Sequence, residues 1–102
     1  MPLTFEIDTR DVRPFERLKV KYPKHVRSAE NHAIEGTEWL TFMVDMTKVV
    51  APHVFALLTV LIAKDRKVIV IQDGKRKKMT QAELKRLKKE HAGGGKASSR
   101  KS

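Results

Sequence analysis

The apolar positions of this chain follow two rhythms that trade places along its length. In LTFEID, residues 3–8, Leu3, Phe5 and Ile7 alternate with Thr4, Glu6 and Asp8. A period of two predicts a strand with one buried face. Phe15, Leu18 and Tyr22 then recur at helical spacing. They predict a short helix capped by Thr9 or Asp11, with Pro14 in the first turn, where the amide has no helical partner. Pro23 interrupts. From about Lys24, Val26, Ala29 and Ala33 share one stripe of a second helical stretch, which Gly36 stops.

EWLTFMVDMT, residues 38–47, sets Leu40, Phe42, Val44 and Met46 against Thr41, Met43, Asp45 and Thr47. Alternation and β-formers favour a strand. The competing reading continues the helix from Lys24 to Lys64. Ala51-Pro52 marks a boundary, with proline at the first helical position. His53 to Ala63 is then apolar nearly all round, as befits a helix packed on two sides. Lys67 to Gln72 predicts a central strand, with Val68 and Val70 on one face and Ile69 and Ile71 on the other.

Asp73-Gly74 supplies the two positive-φ positions of a type I′ hairpin turn. A two-residue turn places Lys77 opposite Val70 and Lys78 opposite Ile69. A strand as basic as KRKKM belongs at a sheet edge, where lysine deters further pairing. Thr80 and Glu83 form a T-x-x-E capping box, and Met79 and Leu84 a hydrophobic staple, so a helix begins at Thr80. Leu84, Leu87 and His91 give it a narrow inward stripe. Gly93-Gly94-Gly95 ends it, and KASSRKS follows as a flexible basic tail. The expected order is βαβαββα, an α+β fold of the ferredoxin-like two-layer sandwich type. Right-handed crossovers make its first three strands parallel and its fourth antiparallel at an edge. One domain spans residues 1–92 and the tail residues 93–102.

Length and composition agree with a single small core: 102 residues, 40% hydrophobic and 33% charged. The most apolar window, residues 49–63, is 15 long. A spanning helix needs about 20 apolar residues, so the expectation is a buried helix and no membrane span. Acids stand where a signal peptide would carry bases, and there is no cysteine. Both point to a cytoplasmic protein without disulfides or thiolate metal sites.

Charge changes the picture most. Residues 1–63 hold 8 Lys+Arg and 8 Asp+Glu, whereas residues 64–102 hold 14 and 4, so the whole formal charge of +10 lies in the last 39 residues. Such asymmetry points to a polyanionic partner. The candidate nucleic-acid-binding residues are Lys75, Arg76, Lys77 and Lys78 on the hairpin, Lys85, Arg86, Lys88 and Lys89 on the last helix, and Lys96, Arg100 and Lys101 in the tail. Phe5, Phe15, Tyr22, Trp39, Phe42 and Phe55 all precede this basic half. Base stacking is therefore not expected, and phosphate contacts with little sequence preference are.

Other chemistry is sparse. His25 and His32 stand seven apart with Glu35 beyond them, about 10 Å along a helix, too far to share one metal ion. His53 beside Pro52 reads as a capping or core histidine. Glu6 and Asp8 share a strand face about 7 Å apart, with Asp45 a neighbour on the same sheet face, but no nucleophile, base and oxyanion group stand together. The triple glycine follows a helix, whereas a phosphate loop precedes one. No enzyme activity, cofactor or metal is expected.

FEIDTRDVRPFERL with PKHVRSAENHAIEGT resembles the opening of phage minor-tail and tail-completion proteins over less than half the chain. KVIVIQDGKRKKMTQAELKRL after an apolar helix is similar in layout to small effector-associated adaptor domains of bacterial conflict systems. That second resemblance implies a ferredoxin-like protein–protein module. Neither brings a site residue with it. The expectation is a small non-enzymatic protein that binds DNA or RNA through phosphates, with an adaptor or assembly module docking on an acidic protein as the alternative. Met43 and one pair of third-strand residues on the outer sheet face mark a possible homodimer patch.

Overall fold

The structure is a computed structural model and describes residues 2–29 and 31–94, with side chains to His91. The predicted tail, with Lys96, Arg100 and Lys101, lies outside the described residues. The central strand β1 (Pro2–Asp8) leads through a 3-10 turn (Thr9–Asp11) into α1 (Arg13–Lys21). Then come β2 (Val26–Ser28), β3 (His32–Ile34), β4 (Thr37–Asp45), α2 (Val50–Ala63), β5 (Val68–Gln72), β6 (Lys75–Lys78) and α3 (Gln81–Gly94). The result is an α+β domain: a six-stranded sheet in the order β2-β4-β1-β5-β6, with β3 also on β4, and three helices. Among the described residues no helix is long and apolar enough to cross a membrane.

Period two identified the long strands correctly. Phe5, Ile7, Leu40, Phe42, Val44, Val68 and Val70 are buried and share the inner face, since Phe5 lies opposite Phe42 and Val70, and Ile7 opposite Leu40 and Val68. All three helices close on that face: Phe15 and Leu18 from α1, Val54 and Leu58 from α2 and Leu84 from α3 join one core cluster. Phe5, Phe15 and Phe42 meet at its centre with ring centroids 5.4–5.8 Å apart. Among the described residues no helix packs on the opposite face of the sheet.

The second predicted helix is corrected. Residues 26–28 and 32–34 form two short strands lying end to end along β4, β2 against Phe42–Val44 and β3 against Thr37–Trp39. Glu35 (φ 52°) and Gly36 (φ 83°) supply the positive-φ pair of a two-residue hairpin turn between β3 and β4. Gly36 is thus a turn glycine and not a helix stop. The Val26–Ala29–Ala33 spacing fits a helix, but pairing with a long, apolar β4 satisfies the same backbone groups. His25 and His32 accordingly do not share a helix face. This hairpin also overturns the predicted parallel arrangement. Every ladder is antiparallel, including β1–β4 and β1–β5. The parallel pairs β1/β2 and β4/β5 exist only across an intervening strand.

Two helix starts move. Residue Val12 precedes α1 without a side-chain cap, and the Asp8 carboxylate instead accepts from the Arg10 amide of the 3-10 turn. Helix α2 begins three residues before His53, because Thr47 accepts the Val50 amide on Oγ1 (3.1 Å) and the Ala51 amide on its carbonyl (2.9 Å). Pro52 remains in the first turn, where no intrahelical donor is needed. The last hairpin matches expectation: Asp73 and Gly74 have φ of 53° and 75°, and Lys77 faces Val70 and Lys78 faces Ile69. Thr80 Oγ1 accepts the Glu83 amide at 3.1 Å, and Met79 and Leu84 are both buried.

Candidate polyanion-binding surface

Strand β6 alternates like any other, so its four bases divide between the two faces of the sheet. Arg76 and Lys78 stand opposite Ile71 and Ile69 and share the helix-free face; Lys75 and Lys77 stand opposite Gln72 and Val70 on the helix side. Helical spacing similarly divides α3. Lys85, Lys88 and Lys89 lie on one flank, and Glu83, Arg86 and Glu90 on the other. The Glu83 flank is the one near the hairpin, since the Lys77 charge acts on the Glu83 carboxyl.

Two of the three arginines of the predicted interface, Arg76 and Arg86, are engaged by carboxylates, and the third, Arg100, lies outside the described residues. Arg86 pairs with both Glu83 and Glu90 along one helix face. Its hydrogen bond, with help from the Arg86 and Lys77 charges, holds Glu83 below the usual carboxyl range. Arg76 reaches across β5 to β1, where Nε and Nη2 donate to Glu6 Oε1 at 2.9 and 2.6 Å. His32 Nε2 lies 3.2 Å from the other oxygen of Glu6. The Arg76 guanidinium also stacks 5.6 Å from the Trp39 ring centroid. Glu6 is only 3% exposed and Trp39 only 5%. Arg76, Glu6, Trp39 and His32 thus clamp β6, β1, β4 and β3 from the open side of the sheet. Charge-assisted hydrogen bonds satisfy a buried carboxylate that would otherwise be costly there.

A second cluster closes the end of β1. Asp8 accepts from the Arg10 amide (2.9 Å) and from Arg10 Nη2 (2.7 Å), with Arg66 Nη2 at 3.8 Å. Arg66 Nε donates to Asp11 at 2.9 Å. The Arg10 hydrogen bond dominates and lowers the Asp8 pKa despite burial. A carboxyl whose folded value is depressed stabilises the fold above its ordinary value, 3.8 for Asp8, and loses that contribution as pH falls through the lower folded value. Asp8→Asn should therefore be less stable than the parent at neutral pH, and the gap should close in strong acid. Urea midpoints measured across the acid range check this; a pH-independent gap would contradict it.

Six predicted interface residues are left: Lys75, Lys77, Lys78, Lys85, Lys88 and Lys89. All are exposed, and none forms a salt bridge among the described residues. A cavity of about 950 Å³ lies between α3 and the ends of β1 and β5. Its charged walls include Arg86 and Glu90, which pair with each other.

Sequence reasoning missed two things. One is the Glu6–Arg76 clamp, whose only signal was Trp39, a large aromatic on the outward side of its strand that needs a cover. The other is a basic stripe on α1, where Arg13, Arg17 and Lys21 follow at i, i+4 and i+8 and are all exposed; the neutral total of the first half concealed it. No family model matches this chain, and no curated protein or solved structure does.

Proposed function

We propose that the chain is a small non-catalytic protein that binds nucleic acid, DNA or RNA, through phosphates and with little sequence preference. One observation carries this reading: the exposed bases of the β6–α3 unit without a carboxylate partner among the described residues are all lysines. A lysine ammonium serves as a point charge for phosphate. The side chains best suited to reading guanine bidentately are arginines, and Arg76 and Arg86 are already held by Glu6, Glu83 and Glu90. Stacking platforms are likewise missing from this surface, since Phe5, Phe15, Trp39 and Phe42 are buried.

The scaffold fits a ferredoxin-like reading, in which β1–α1–β2 and β4–α2–β5 interleave so that the strands run β5-β1-β4-β2, extended by β6 and α3. The open sheet face, where Met43 is 39% exposed beside half-buried Thr41, Ile69 and Ile71, is the surface on which a second copy would pair.

Binding of the full chain to labelled random-sequence duplex, followed by anisotropy against KCl, tests the main reading. Phosphate contacts by Lys75, Lys77, Lys85, Lys88 and Lys89, leaving out Lys78 on the other sheet face, give a log–log slope of about −4.5. Two random sequences of equal length should bind alike. Salt-independent retention, or no binding at 20 mM salt, would overturn it.

A further inference from the structure

Helix α2 is the middle helix of its layer and has no charged residue along its 14 positions, in a chain that is 33% charged. Its core side is filled by Val50, Ala51, Val54, Phe55, Leu58 and Leu61. Its solvent side is nevertheless also uncharged. Pro52, His53, Ala56, Thr59 and Ala63 are exposed there, with Val49 at 58% and Val60 at 48%. An exposed helix face normally carries the polar half of an amphipathic pattern. Here the strip is bare for about 21 Å, the length of 14 residues.

Its neighbours are basic. Helix α1 lies beside it, with the Tyr22 and His53 rings 5.9 Å apart. Between the two helices runs a groove of about 270 Å³ with Pro14, Leu18, Ala56 and Leu57 in its walls. Arg17, Lys21 and His53 complete the lining. Arg13 extends the row one turn back from Arg17, while helical spacing sets Glu16, the one acid of α1, on the flank away from Lys21. Val20, at 79% exposure, is the most exposed large apolar residue of the described chain.

We propose that this groove docks an acidic amphipathic helix of a protein partner. Its apolar stripe would rest on Ala56, Val60 and Leu57, and its carboxylates would meet Arg17 and Lys21 one turn apart. Three features select this occupant. The groove between the two helices has an apolar floor of Pro14, Leu18, Ala56 and Leu57, the kind of surface on which the apolar face of an amphipathic helix rests. Arg17 and Lys21 stand one turn apart along one wall of the groove, which complements acids four positions apart on a second helix. A bilayer surface would instead call for protruding Trp, Phe or Leu anchors, and the exposed strip offers valine, alanine, proline and threonine. A phosphate backbone gains nothing from an uncharged apolar strip. This site is separate from the β6–α3 lysines.

The test uses the full chain and a fluorescein-labelled 16-residue helical peptide with a leucine stripe flanked by glutamates, beside the same peptide with lysines for glutamates. The acidic peptide should bind saturably and the lysine version should not. Arg17→Glu with Lys21→Glu should weaken binding at least about tenfold, the scale of two reversed rim charges. Val60→Asp should weaken it similarly at an unchanged melting temperature. Lys75→Gln with Lys77→Gln should leave it unchanged, so the outcome is independent of the nucleic-acid reading. Equal binding of both peptides, no binding at 100 µM peptide, or insensitivity to the groove variants would overturn the proposal. So would a groove-variant effect seen only on phosphatidylserine vesicles, which would assign the face to lipid.

Discussion

Phe42→Ala lowers the unfolding free energy by about 4 kcal/mol, the usual range for a buried phenylalanine truncated to alanine. Phe42 is fully buried on β4, and its ring lies 5.8 Å from Phe5 and 5.5 Å from Phe15. Truncation removes one member of a three-ring cluster to which α1, β1 and β4 each contribute. It forfeits the transfer free energy of the ring and leaves a void that two rigid strands cannot collapse to fill. A domain of this size has a total stability of about 5–15 kcal/mol, so the variant sits near its folding threshold. The melting temperature should fall by roughly 15–30 °C, since each kcal/mol moves a domain of about 100 residues by about 4–8 °C. Scanning calorimetry beside Val20→Ala, at a position 79% exposed, separates core loss from a general effect of truncation. A Phe42→Ala shift as small as that of Val20→Ala would contradict the core described here.

Arg76→Ala comes next in size, at about 3 kcal/mol, the scale for removing a cation from a buried carboxylate; the Arg76 side chain itself is 37% exposed. Glu6 would keep His32 as its partner, which holds the loss to the lower part of that range, but Trp39 would lose its cover. Most of the loss is the cost of leaving the Oε1 oxygen of a carboxylate with 3% exposure without its two Arg76 hydrogen bonds. The change is therefore expected to be context-dependent: in a Glu6→Gln background the same arginine deletion should cost much less. A double-mutant cycle read by urea denaturation checks this. Additivity of the two substitutions would mean that the clamp contributes nothing. Polyanion affinity at a temperature where the variant is folded should change little, because this guanidinium is held by Glu6 and the Trp39 face.

Much of the scaffold was legible because its signals were local. Alternation in residues 3–8 and 38–45, the Asp73-Gly74 turn and the Thr80 cap each depend on neighbours in the chain: the first two are strands with the expected buried face, and the turn and cap appear with the expected register and hydrogen bond. The stretch from Lys24 to Gly36 was misread because short edge strands have little periodicity of their own. Their conformation is imposed by β4, whose 9 residues offer a ladder to both. Strand direction followed the same error, because an extra hairpin changes the topology of everything beyond it. The candidate surface was legible as a list of charges and illegible as a geometry. Arg76 lies 70 positions from Glu6, and their pairing requires β1, β5 and β6 to be aligned first. The alternation that sends Arg76 to Glu6 also sets Lys75 and Lys77 on the other face, so a run of four bases does not make one patch.

The central claim is that the β6–α3 lysines without a carboxylate partner among the described residues contact phosphates. Its most direct test is the salt dependence of random-duplex binding by Lys75→Gln/Lys77→Gln/Lys85→Gln/Lys89→Gln beside the parent chain, with both melting temperatures recorded. Loss of about 3–4 units of log–log slope, near 0.9 for each phosphate contact removed, at an unchanged melting temperature is the predicted result. An unchanged slope in a variant that melts like the parent would contradict it.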